Sequence, residues 1–306
     1  MSQQRFVIIG AGPVGRAVVR RLVSRGIEPT VISRSGPPLD GARTVVADVG
    51  DAAGLRRALL EADVVFQCAQ PPYHRWAEEF PQLQRNVVDA CADSASTLIA
   101  AENLYVYGTP GTAISEESPF QPTTQKGRVR LAMIEDLREA ERAGRLRTAA
   151  VRSSDFFGPG VTGSAYGQRF FGPIAAGRKA QLLGDPDALH SITFIDDYAE
   201  TLIRVALDPT SWGQAWIAPT ARPITQRAIL ELAARAAGTA PRFQRVGPSM
   251  LRLAGMFSPP AKEMIEMLGE FTADYVVDST AAEERFGLSP VPLADAIAVT
   301  IAAHAE

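Results

Sequence analysis

Lysine is scarce in this chain. Of its 31 basic residues only three are lysines, at positions 126, 179 and 262, and the rest are arginine. Cysteine is scarcer still. Cys68 and Cys91 are too few for a disulfide framework or a cysteine metal site, and they suit a reducing compartment. His74, His190 and His304 are scattered without the short spacing that builds a zinc site, so no metal centre is expected. No apolar run approaches the roughly 18 residues that a membrane span requires, and the opening RFVIIGAG lacks the pattern of a secretory leader. The net charge of −3 gives no basic field, which argues against nucleic acid as a partner. These shortages point to a cytoplasmic, soluble protein that handles small molecules, with neither nucleic acid nor membrane as partner.

What the chain has is a regular rhythm. Its 306 residues, 46% hydrophobic, can bury a large core as one big domain or two lobes. The runs RFVIIGA, PTVIS, RTVVAD, DVVFQCA, STLIAAE and TAAVRSS are short, β-rich and bounded by turn residues, as buried parallel strands are. Amphipathic stretches lie between them, GRAVVRRLVSRG, DAAGLRRALLEA and EEFPQLQRNVVDACADS among them. Strand–helix alternation at this rhythm predicts βαβ units and an α/β fold with a Rossmann-type doubly wound parallel sheet. After about residue 155 the texture becomes rich in Gly and Pro, and the later segments read as a smaller, interleaved C-terminal lobe.

The first strand and helix enclose a glycine pattern. RFVIIGAGPVGRAVVRRL places Gly10, Gly12 and Gly15, with Pro13 and Val14 between, at a strand-to-helix turn. This G-x-G-x-x-G gives a tight turn, close backbone approach to a pyrophosphate and close helix–strand packing, with the phosphates at the positive end of a helix. NAD enzymes usually carry an acid at the end of the second strand to hold the ribose 2′-hydroxyl. Here that strand ends in Ser33 and Arg34. No carboxylate repels a 2′-phosphate, and the Arg34 guanidinium can pair with one, so NADP(H) is expected ahead of NAD. The expected organisation is a dinucleotide-binding domain over 1–155, with 192–218 returning to it, and a substrate-binding lobe from 156–191 and 219–306.

PTTQKGRVRLAMIEDL reads as a helix with two charges on the wrong side. At roughly 100° per residue Val129, Met133, Leu137 and Ala140 form an apolar stripe, with Glu135, Arg138 and Arg142 opposite. Lys126 and Arg130 fall on the apolar side. Two readings stand at this point: the pair faces a cofactor, or Lys126 extends from the first helical turn into solvent.

The order of segments resembles the extended short-chain dehydrogenase/reductase superfamily, the NAD(P)-dependent epimerase/dehydratase group, over nearly the whole chain. VVADVGD is similar to the family segment whose Asp contacts the adenine, here Asp48 with Val49. VFQCAQ is similar to the fourth-strand end that flanks the cofactor, here Ala69 and Gln70. YVYGT, VRSSDFFGPG, ITFIDDYAETL and DSTAAEERFGLSPV are similar to further family segments in the same order. The resemblance implies a catalytic Ser or Thr and a Tyr-x-x-x-Lys pair. At those registers stand Asn103, Lys126 and Arg130, as in atypical members of the superfamily. It further implies that Ser153 and Ser154 lie near the nicotinamide, and that homodimers form through the two helices at about 75–93 and 124–143.

Lys126 is a chemically adequate replacement for Tyr. Its free pKa of about 10.4 is close to the value of about 10 for tyrosine, and Asn103 can donate an N–H to a substrate carbonyl. Tyr73, Tyr105 and Tyr166 are other candidate proton donors. Asp155 stands where the family commonly has Asn and suits a polar or cationic group. With Tyr105, Phe156, Tyr166 and His190 it forms the expected substrate set for a small molecule. His190 occupies a position where relatives often carry an Arg for a nucleotide-sugar phosphate, which argues against such a substrate. Three functions are compatible with this pattern. The favoured one is an NADP(H)-dependent oxidoreductase acting on a carbonyl or imine of a small organic molecule. The others are a non-catalytic NADP(H)-binding redox sensor and an epimerase or dehydratase.

Overall fold

The computed structural model describes residues 4–256 and 259–305. Its first stretch holds β1 (Phe6–Ile9), α1 (Pro13–Val23), β2 (Thr30–Ser33), β3 (Arg43–Val46), α2 (Ala52–Leu59), β4 (Val64–Gln67), α3 (Trp76–Ser94) and β5 (Thr97–Asn103). Helix α4 (Gln125–Arg142) and β6 (Arg147–Ser153) follow. Shorter elements come next: β7 (Asp155–Phe157), α5 (Phe171–Ala175), β8 (Ala180–Leu183), β9 (Leu189–His190) and β10 (Ile192–Phe194). After α6 (Ile195–Leu207) and β11 (Ala215–Ile217) the chain forms β12 (Ile224–Thr225), α7 (Gln226–Ala237) and β13 (Phe243–Val246). It continues with α8 (Pro248–Gly255), α9 (Pro259–Met267), α10 (Thr280–Phe286) and α11 (Leu293–Ala305).

Two compact units emerge from these elements. The first comprises Met1–Asn103, Lys126–Arg152 and Tyr198–Trp216. It is organised by a seven-stranded parallel sheet in the order β11-β6-β5-β4-β1-β2-β3. Strands β1 and β4 are buried at every position, which is why they read as unbroken apolar runs rather than alternating ones. Val7 pairs with Thr30 on one side and Val65 on the other, so β1 is central. Strand order reverses between β1 and β4, and such a switch point opens a crevice at the carboxyl ends of the strands. Leu55 and Leu59 of α2, Val87 and Cys91 of α3, and Leu137 and Ala140 of α4 cover the sheet. Asp51 starts α2 by accepting the Ala53 N–H at 3.1 Å.

The second unit comprises Leu104–Gln125, Ser153–Asp197 and Ile217–Glu306. Aromatic residues dominate its core: Phe157, Tyr166, Phe170, Phe171, Phe194 and Phe271, packed with α7 and α11. The division differs from the sequence-based one at 104–125, 153–155, 192–197 and 217–218, which the sequence reading places in the first domain. Hydrogen bonding accounts for the difference. The Ile114 N–H donates to the Val276 carbonyl at 2.9 Å and the Ile114 carbonyl accepts from Asp278 at 2.8 Å. The Glu116 carboxylate accepts the Ile217 N–H at 2.7 Å. Segment 104–125 is therefore laced to the later chain, which periodicity does not encode. Strand β7 pairs in parallel with β10, so the two belong to the same unit. No helix among the described residues is long and apolar enough to cross a membrane, and no cluster of three or more His, Cys, Asp or Glu that could hold a metal occurs among them.

Candidate functional site

The glycine turn sits at the end of β1, beside the switch point. Gly10 has φ +106, and a Cβ there would lie 2.8 Å from the Ala69 backbone, so β4 approaches too closely for any side chain. A Cβ on Gly15 would lie 2.0 Å from the Gly10 carbonyl oxygen, which makes helix-to-strand proximity the reason for that glycine. Gly12 is different. Its φ of −74 is ordinary, and a Cβ there would meet nothing within 4 Å. It is the N-cap of α1 and leaves the first-turn N–H groups without a capping side chain or an acid in that turn, with Pro13 as the first helical residue. An uncapped helix start beside open space fits a dinucleotide pyrophosphate. Val14 continues the same first turn.

Around the turn the other predicted cofactor residues take distinct environments. Ala69 abuts Gly10, and Gln70 next to it is exposed. Arg34 is exposed past the end of β2, and the Ser33 hydroxyl accepts the Gly36 N–H at 3.0 Å. Asp48 is exposed with one oxygen on the Gly50 N–H at 2.8 Å, whereas Val49 is buried and its carbonyl accepts from the Asn86 amide at 2.6 Å.

Lys126 and Arg130 face inward. Lys126 is 3% exposed and Arg130 7%, so the lysine does not reach solvent. Buried cations are costly unless compensated, and part of the compensation is aromatic. The Lys126 ammonium lies 4.3 Å over the Tyr73 ring, and the Arg130 guanidinium lies 4.6 Å and 4.7 Å over the rings of Trp76 and Phe80. Trp76 and Phe80 are one helical turn apart on α3, stacked edge to face at 5.0 Å. Sequence reading missed this aromatic rail, although the i, i+4 spacing at the start of α3 was its signal. Beside Arg130 is a small cavity of about 10 Å³, the room of one water, lined by Gln67, Gln84, Glu102, Met133 and Leu137. Asn103 ends β5 half-buried, directly after Glu102. Burial pushes both the Cys68 and Cys91 thiols up to about 12, which removes them as nucleophiles.

The remaining predicted residues lie in the second unit, and three of them come together there. The His190 imidazole Nε2 is 3.0 Å from an Asp155 carboxylate oxygen, and the Tyr166 ring is 5.5 Å from the His190 ring. His190 is itself stacked between Phe271 at 4.7 Å and Tyr275 at 5.3 Å. The hydroxyls of Tyr166 and Ser153 are buried without hydrogen-bond partners among the described residues. Ser154 is committed elsewhere: its hydroxyl donates to the Ser191 carbonyl at 2.6 Å. Phe156 is half-buried on β7, and Tyr105 half-buried in the turn 105–107. Sequence reading missed Glu270, Phe271 and Tyr275. Glu270 is buried, and burial first and the Asp155 charge second hold its carboxyl well above the usual range. The Tyr275 and Tyr166 phenols are raised well above theirs, again by burial foremost.

With the site's geometry established, similarity to other proteins is informative. A family model described as the NAD dependent epimerase/dehydratase family matches residues 6–215. The dTDP-6-deoxy-L-talose 4-dehydrogenase (NAD(P)(+)) of Kitasatospora kifunensis is 29% identical over 222 residues, covering 66% of this chain and 69% of that one. Among solved structures, the UDP-glucuronic acid 4-epimerase of Bacillus cereus in complex with NAD superposes with a TM-score of 0.81 at 15% identity, over 98% of each chain. The UDP-glucose 4-epimerase of Thermus thermophilus in complex with NAD gives 0.78 at 21% identity, over 98% of this chain and 99% of that one. The two structural likenesses establish the fold.

Proposed function

The chain belongs to the NAD dependent epimerase/dehydratase family, and from that premise we propose that it is an NADP(H)-dependent oxidoreductase acting on a carbonyl or imine of a small organic molecule. The observation that carries this reading is the buried Lys126, 3% exposed, at the register where the resemblance places the proton-transferring Tyr. Burial of an ammonium on the face of Tyr73 fixes its position, and a proton donor contributes only when held in place. The bound dinucleotide would supply hydride at its nicotinamide ring. Lys126 Nζ would donate a proton to the carbonyl oxygen as charge develops there, and the Asn103 amide N–H would hydrogen-bond the same oxygen. Arg130, held over the rings of Trp76 and Phe80, stays charged and would serve as a fixed hydrogen-bond donor.

Support for the coenzyme comes from the open Gly12 position and the uncapped start of α1, which fit a pyrophosphate. The choice of NADP(H) over NAD rests on the exposed Arg34 and the lack of a carboxylate at the end of β2. A relative whose name gives both coenzymes and a dehydrogenase activity is consistent with the oxidoreductase class.

The test is NADPH oxidation against a panel of aldehydes, ketones and imines, with Lys126→Ala compared to the parent. The expected result is turnover that falls by about 10²-fold or more in the variant, the range for a lost general acid, while NADPH still binds. Tight NADPH binding with no turnover of any acceptor would overturn this reading and favour the non-catalytic sensor.

A further inference from the structure

The geometry points to a binding site in the second unit for a ligand that carries an ammonium group, with Asp155 as its counter-ion. The site rests on the oxidoreductase reading only insofar as that group belongs to the substrate.

Every polar feature of this cluster converges on one carboxylate. Asp155 ends the β6-to-β7 transition with its side chain 12% exposed, while His190, behind it, is 2% exposed. Among the described residues, His190 is the one hydrogen-bond and ion-pair partner of the Asp155 carboxylate, through Oδ2 at 3.0 Å. The imidazole cannot move to follow a ligand, because Phe271 and Tyr275 stack on it at 8° and 21° between ring planes. Oδ2 is thereby held, and Oδ1 remains to accept from a ligand.

The second, independent observation is Tyr166. It is 1% exposed, its hydroxyl has no hydrogen-bond partner among the described residues, and Asp155 is the charge that acts on it. A buried phenol left in this state is costly, and native structures leave few such groups without a ligand or water. The Ser153 hydroxyl, two residues from Asp155, is in the same condition. Each of these hydroxyl oxygens can accept as well as donate, and the Asp155 charge acts on the Tyr166 phenol. A protonated amine, with up to three N–H donors, can donate both to the Asp155 carboxylate and to a hydroxyl lone pair, whereas a second carboxylate would be repelled by Asp155. Burial foremost, and the Asp155 charge, disfavour the ionised form of Glu270. A cation beside Asp155 would relieve the field that this carboxylate exerts on Tyr166, Glu270 and Tyr275.

Calorimetric titration of the full chain, without coenzyme, with benzylammonium and separately with benzyl alcohol tests the proposal. The expected result is that benzylammonium binds at least ten-fold more tightly than the alcohol. Asp155→Asn should weaken benzylammonium at least ten-fold, and Tyr166→Phe, which keeps the ring packing, several-fold. Equal binding of the two probes, no binding of benzylammonium, or an unchanged affinity in Tyr166→Phe would overturn it. If Asp155→Asn fails to fold, the probe comparison and the Tyr166→Phe affinity decide. Turnover is read separately, with aminoacetone, hydroxyacetone and pyruvate as matched cationic, neutral and anionic ketones. Benzylammonium binding with no turnover of these ketones or of any acceptor in the wider aldehyde, ketone and imine panel sinks the oxidoreductase reading and leaves this site standing.

Discussion

Arg152 Nε lies 2.9 Å from the Glu102 carboxylate, and the two side chains are only 3% and 4% exposed. Adjacent strands β5 and β6 supply the pair, and the Tyr198 hydroxyl donates to the Glu102 carbonyl at 2.8 Å, which ties α6 to the same place. Removing the Glu102 charge takes one ion-pair partner from the buried Arg152, at a cost of up to about 3–5 kcal/mol. Glu102→Gln should therefore lower unfolding stability in urea by about 3 kcal/mol. The double replacement Glu102→Leu with Arg152→Met should recover most of that loss, because it removes both charges together. A double variant no more stable than Glu102→Gln would contradict the account.

The glycines separate folding from binding. Gly15→Ala places a Cβ 2.0 Å from the Gly10 carbonyl oxygen and should destabilise the chain outright, seen as a lowered thermal midpoint. Gly12→Ala meets no atom within 4 Å and should leave that midpoint close to the parent's. Its methyl would occupy the space assigned to the pyrophosphate, so NADPH affinity, read by fluorescence titration, should fall by about ten-fold or more, some 1.4 kcal/mol. Unchanged affinity in Gly12→Ala would remove the cradle from its assigned place.

Arg34 sets coenzyme choice if the 2′-phosphate reading holds. Arg34→Ala should weaken NADPH by about ten-fold, in the range of one charge-assisted hydrogen bond, and leave NADH almost unchanged. Equal losses for both coenzymes, measured side by side at one ionic strength, would assign Arg34 to some other role.

Glu270 predicts a pH dependence of stability. Burial raises its carboxyl well above the ordinary 4.5. The folded chain then holds a proton that the unfolded chain has released, so ν_U is below ν_N and stability falls as pH rises through and above that value. The thermal midpoint of the parent should fall as pH rises above about 4.5. Glu270→Gln, which mimics the neutral acid, should flatten that slope and be the more stable form at the upper end. A slope that is unchanged in the variant would show that the carboxyl ionises freely in the fold.

Much of the architecture could be read from residues alone because parallel strands buried on both faces leave continuous apolar runs. FVII and VVFQ announce β1 and β4, and the helices between them show their period. The inward orientation of Lys126 and Arg130 was legible for the same reason, since both fall on the stripe of Met133 and Leu137. Their partners were not. Trp76 and Phe80 lie on α3 and Tyr73 in the turn just before it, and only tertiary packing brings an aromatic face under a cation. The Asp155, Tyr166 and His190 trio was expected as separate substrate contacts, and their meeting depends on the β7–β10 pairing. Glu270 and Tyr275 carry no local signature, because the turn 268–271 and the chain after it have neither helical nor strand period to betray an inward side chain. The transfer of 104–125 to the second unit escaped notice because backbone hydrogen bonds to Val276 and Asp278 leave no trace in side-chain pattern.

Between the two units the polypeptide crosses at 103/104, 125/126, 152/153, 197/198 and 216/217. Neither unit has a continuous gene fragment of its own. During synthesis the sheet-bearing unit is whole only once Trp216 has emerged, and 104–125 and 153–197 then still await the chain from Ile217 onward. A stop codon placed just after Trp216 would leave those two pieces stranded, with their aromatic residues bared, so the fragment should clump rather than behave as an autonomous nucleotide-binding module.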